Sequence, residues 1–169
     1  MSTETLGDMD GSSAVDGVAY DAVAAEPEGT TVRVRFTAVA AHVRTARLVA
    51  AAVARRTGVD ETVLDEVRLA VGEACSRAVD LHRRHCPTLP VTLALTDRGT
   101  SFSVAVFDNV SGQQSAEDPL AAFTESADLE DAVLPAGVGL AVIDGLVDDL
   151  QVQQGAAGTV VRMTWPLRA

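Results

Sequence analysis

A glutamate and an arginine one helical turn apart, Glu73 and Arg77, stand inside the most regularly apolar stretch of the chain, Val63 to Leu81 (VLDEVRLAVGEACSRAVDL). Val63, Val67, Ala70, Val71, Ala74, Ala78 and Leu81 recur at three- and four-residue steps, which puts them on one stripe of a helix. A carboxylate set among Val, Ala and Cys on such a helix is either paired or functional, because an ion drawn out of water needs a partner or a task. Arg77, four residues on, is within reach of Glu73. Three more short motifs follow in order: Asp108-Asn-Val-Ser-Gly112 at the end of an alternating run, Gly137-Val-Gly139-Leu140 at the opening of a helical pattern, and Gly158-Thr159 in a closing hairpin.

The other chemistry-bearing residues lead less far. His42, His82 and His85 read as surface or helix-end residues, the last two suiting a helix C-terminus, where a cation meets the negative end of the dipole. Ser76 and Ser111 have no His/Asp companions in a recognisable triad. Cys75 and Cys86 fall in or near one helix and are separated by roughly 16 Å along it, too far for a disulfide. Neither has a zinc-ligand spacing, so both are expected as reduced thiols and no metal site is expected. Gly137-x-Gly139 by itself is compatible with an ordinary turn into a helix, and it lacks the third glycine and the βαβ unit of a dinucleotide fingerprint.

The elements that must position these residues are legible from pattern. Residues 31–37 alternate Val32, Val34 and Phe36 against Arg33 and Arg35, a half-buried strand. A helix is expected from about Val39 to Thr57 with Gly58 as its stop, and a second one, capped by Asp60, ending near His85 ahead of Pro87. Residues 90–96 and 101–108 alternate as strands around an Asp97-Arg-Gly-Thr100 turn. Residues 109–136 form a long acidic loop with room for a short helix near Leu120–Phe123. A helix from Gly137 to about Val147 and two strands, 150–153 and 159–165, complete an α+β two-layer sandwich with a largely antiparallel sheet covered on one face by helices. Trp165 is expected to pack in the core or at a sheet edge.

Residues 1–29, with seven acids and no base, are expected as a disordered acidic tail, and 30–169 as one domain. The formal charge of −11 argues against a nucleic-acid binder, which needs a basic face to meet phosphate, and suits a protein partner with a basic surface. All thirteen basic residues are Arg, so there is no lysine phosphate clamp. No apolar run reaches about eighteen residues and no secretory signal opens the chain, so a cytoplasmic, membrane-free protein is expected.

With RLAVGEACSRAVD, DNVSG, GVGLAVIDGLVDDL and GTVVRMTWPL in this order, residues 32 to 167 resemble the anti-sigma factor/serine kinase family, whose ATP-binding domain is shared with histidine kinases, gyrase and Hsp90. The resemblance implies that fold, with ATP and Mg²⁺ as cofactors. It implies Glu73 as the general base or orienting carboxylate of phosphoryl transfer. It likewise implies Asp108 as acceptor of the adenine amino group, Gly112 as a close approach to the base, and Gly137, Gly139 and Leu140 as the glycine turn at the phosphates. By the same resemblance Thr159 matches a threonine beside that aspartate.

The chain departs from that pattern at two telling positions. The family's magnesium-binding asparagine, four residues after the glutamate, is Arg77, which has donors only and cannot ligate a cation. The first glycine of the Asp-x-Gly-x-Gly motif is Val110. Arg77 is expected to form an intrahelical ion pair with Glu73, the alternative being a direct contact to phosphates. Two functions follow from the resemblance. One is an anti-sigma factor that sequesters an RNA polymerase sigma factor, is released by a STAS-type anti-anti-sigma antagonist, and serves stress-response transcription as a homodimer. The other is an active serine kinase that phosphorylates that antagonist.

Overall fold

The computed structural model describes residues 29–111 and 136–167. Its elements are β1 (Thr30–Phe36), α1 (Ala40–Thr57), α2 (Leu64–His85), β2 (Val91–Asp97), β3 (Ser101–Asp108), α3 (Ala136–Asp144), β4 (Asp149–Gly155) and β5 (Gly158–Pro166). The five strands form one antiparallel sheet in the order β1-β2-β3-β5-β4. The α+β sandwich expected from pattern is the fold observed. The tail over residues 1–28, Gly112 and the short helix near 120–123 lie outside the described residues.

The core is the meeting of one sheet face with the helix stripes. Val91, Leu93 and Leu95 of β2, Phe102, Val104 and Val106 of β3, and Val161, Met163 and Trp165 of β5 point the same way, as the two-residue period of a strand requires. Against them lie Val43, Ala46, Ala50 and Ala54 of α1, Val67, Ala70, Val71, Ala74 and Ala78 of α2, and Ile143 of α3. Small alanines on both long helices let α1 and α2 approach closely, and Arg47 lies across Gly72, where an added Cβ would stand 2.7 Å from its Nε. Trp165 stacks on Phe102 with ring centroids 6.1 Å apart, and its indole N–H donates to the Leu146 carbonyl at 3.0 Å. The central strands are also buried on their other face, where Ala94, Ala105, Phe107 and Val160 make a second, smaller cluster.

Local signals explain the boundaries. Gly58 ends α1 in the left-handed region (φ 95°), with the Val59 N–H returning to the Ala54 carbonyl at 3.0 Å. The expected cap by Asp60 is not made: α2 begins at Leu64, and Asp60 Oδ1 instead accepts the Thr62 N–H at 2.9 Å and its hydroxyl at 2.5 Å. A short Asp side chain that can close its own turn does so three residues ahead of the helix. α3 stops at Asp144, earlier than Val147, because Gly145 and the turn to Leu146 lead directly into β4.

Candidate functional site

α2 and the facing ends of β3 and β5 bring three of the expected site residues together. Asp108 closes β3, and its register partner on β5 is Thr159. Both belong to the helix-facing set of their strands, since they continue the alternation of Val104, Val106 and of Val161, Met163. The strands can approach here because Gly158 has φ 143° and no side chain: a Cβ would lie 2.0 Å from the Asp108 carbonyl oxygen.

Arg77 reaches down from α2 and donates from Nη1 to Asp108 Oδ2 at 3.0 Å, with side-chain exposures of 8% and 2%. The expected Glu73–Arg77 ion pair is therefore not the one formed. Glu73 sits half-buried one turn earlier on α2, and the ion pair that Arg77 makes among the described residues crosses to the sheet. Asp108 Oδ1 accepts the Val110 N–H at 3.0 Å. Burial pushes the Asp108 carboxyl above its ordinary value, although the Arg77 charge and the Val110 N–H pull the other way. Thr159 is fully buried, and its hydroxyl has no hydrogen-bond partner.

His82 stands in the last turn of α2, the helix-end position expected for it, but its side chain faces inward. It is fully buried, not at the surface. The Asn109 N–H donates to its Nε2 at 2.9 Å, so Nδ1 carries the hydrogen and donates to the Leu89 carbonyl, also at 2.9 Å. Asn109 in turn donates from its side chain to the Pro90 carbonyl at 3.1 Å. The imidazole thus ties the end of α2 to both strand ends beside Asp108. Its signal was present in the sequence, for position 82 prolongs the stripe of Val67, Val71, Ala74 and Ala78 by four more residues.

The glycine motif falls on the first turn of α3, which contains Gly137, Gly139 and Leu140 and packs against α2. Leu140 is partly buried against the core, and the position of Gly139 is open to an added Cβ. Gly112 lies outside the described residues. Among the described residues no cluster of three His, Cys, Asp or Glu side chains could hold a metal ion. No helix among them is long and apolar enough to cross a membrane.

Residues 36–165 match the family described as the histidine kinase-like ATPase domain. The chain belongs to that family. A solved structure described as the RsbU and RsbW domains of Rv1364c from Mycobacterium tuberculosis has the same fold, with a TM-score of 0.57 at 18% identity. The alignment covers 82% of this chain and 33% of that one, so the chain spans about a third of its neighbour's length. No curated protein matches the chain.

Membership in a histidine kinase-like ATPase family makes a purine nucleotide the group to test against this site. The side chains do not fit one held on Asp108. Its carboxylate is sealed at 2% exposure, with one oxygen on Arg77 and the other on the Val110 amide. Arg77 also puts a cation where the family pattern has a metal-binding side chain.

Proposed function

We propose that this chain is an anti-sigma factor: it sequesters an RNA polymerase sigma factor and is displaced by a STAS-type anti-anti-sigma antagonist, regulating stress-response transcription from the cytoplasm, as a homodimer. The observation that carries the reading is a histidine kinase-like ATPase fold, seen in the described residues, around a site whose Asp108 is bound to the protein's own Arg77. A scaffold whose candidate purine-binding carboxylate is held by its own arginine is suited to binding a protein. The structural likeness to a chain containing an RsbW domain supports the same direction, as does a net charge of −11 facing partners with basic surfaces. The serine-kinase alternative requires Asp108 open to a purine and a metal acceptor at position 77, and Arg77 opposes both.

The test is pairwise calorimetry of the full chain with each purified sigma factor of its source organism, then displacement by each STAS-domain protein. Submicromolar binding to one sigma factor, about −8 kcal/mol or better, with loss of that complex on adding one STAS protein, is expected. Failure of every sigma factor to bind would overturn the proposal.

A further inference from the structure

The contact between Arg77 and Asp108 has the chemistry of the contact it displaces. A guanidinium presents planar N–H donors, and the exocyclic amino group of an adenine presents planar N–H donors too, flanked by ring-nitrogen acceptors. Either can donate to the Oδ2 atom that Arg77 Nη1 now meets at 3.0 Å. Two polar groups stand beside it: Asp108 Oδ1 is fixed by the Val110 amide, and Thr159, paired with Asp108 across the strands, keeps a buried hydroxyl with no hydrogen-bond partner. A polar atom buried in that state marks a place built for a bound donor, acceptor or water. The glycine that permits this approach, Gly158, is also retained.

We propose that Arg77 is a built-in occupant of the purine site, donating to Asp108 in place of the adenine amino group, so that the domain is closed without nucleotide and Arg77 alone decides that it binds none. The carboxylate is compensated from within, and the folded state needs no ligand to neutralise it. Asp108 and Thr159 are the recognition pair that remains beneath the side chain. Replacing Arg77 with a short neutral residue removes the donor and vacates its volume, leaving Asp108 in need of a new donor. Adenine nucleotides and adenosine are the class that would supply it. This inference does not rest on the sigma-factor reading, because its readout is nucleotide binding by the isolated chain.

The experiment is a thermal-shift and calorimetric titration of wild type, Arg77→Asn and Arg77→Asn/Asp108→Asn with ATP, ADP and adenosine, each with and without Mg²⁺. Wild type is expected to show no shift at millimolar ligand. Arg77→Asn is expected to bind, with its midpoint raised by about 5 °C, and the second substitution is expected to abolish that gain. Arg77→Ser, equally short and neutral, replaces Arg77→Asn if the latter does not fold. Binding by wild type equal to that of the variant would overturn the proposal. So would a folded Arg77→Asn or Arg77→Ser that binds no adenosine or ATP, or two unfolded variants whose melting transition millimolar ATP does not restore. Retained binding in the double variant would remove Asp108 from the site and equally count against it.

Discussion

Arg77 has two carboxylates within reach of argument, Glu73 on its own helix and Asp108 across the sheet, and the pairing follows from what each would lose alone. Glu73 is half-buried and keeps contact with water, whereas Asp108 is 2% exposed and would be an uncompensated buried ion. Removing only the cation should therefore be expensive: Arg77→Met is expected to cost about 3–5 kcal/mol in urea unfolding at pH 7, while Arg77→Met/Asp108→Leu recovers most of it. The pH dependence has a definite sign. Asp108 is raised by burial, so its favourable contribution is complete below the unfolded carboxyl value near ~4 and is lost as pH rises through the folded value. The Arg77→Met deficit should shrink as the pH falls toward about 4. Cys75, fully buried, has its thiol pushed up to about 12 by burial, against the opposing charge of Arg47. A thiol reagent at pH 8 should label Cys86 in the native protein, slowly because its thiol is also raised, and reach Cys75 only on unfolding.

At the scale of elements, α2 does most of the positioning. One helix supplies a core stripe, the half-buried Glu73, the cation for Asp108 and the imidazole that joins Leu89 to Asn109. Two glycines next to this helix and its strands should respond in opposite ways. Gly158→Ala puts a Cβ 2.0 Å from a backbone oxygen at φ 143°, and the β3–β5 register leaves that backbone no room to move. A loss of about 2–3 kcal/mol is expected, with the midpoint falling correspondingly. Gly72→Ala meets only the Arg47 side chain, which can swing aside, and gains helix propensity. Its change in stability should stay within about 1 kcal/mol of wild type. Thermal denaturation of the two variants side by side checks both, and a Gly72 variant as damaged as the Gly158 one would show that Arg47 is held rigidly.

For the whole molecule, charge and architecture act at different ranges. The antiparallel sheet with helices on one face fixes where α2 meets β3 and β5, while a net charge of −11 governs what approaches from outside. If the partner is a protein with a basic surface, association should slow as salt rises, because steering between exposed charges is screened within about 10 Å at 0.1 M. Stopped-flow association at 50 and 500 mM NaCl is expected to show a rate at least about tenfold lower at the higher concentration. An association rate indifferent to salt would assign recognition to apolar contact instead.

The sequence by itself determined a good deal here. Alternation in β1, β2, β3 and β5, the three-and-four spacing of α2, and Gly58 at the end of α1 are local signals, decided by residues a few positions apart. They were enough for the element order, the sandwich and a list of polar residues worth watching. What only the tertiary structure decided is which of those residues meet. The spacing of Glu73 and Arg77 offers an ion pair, but it carries no term for the burial of Asp108, thirty-one positions away from Arg77. Asp60 offers a cap, yet its own turn competes at shorter range. His82 lies in the apolar stripe, but its two acceptor and donor partners come from segments the helix period cannot locate. Periodicity reports on neighbours along the chain, whereas the choice of partner for a buried charge depends on desolvation, which exists only once the sheet and helices have closed over it.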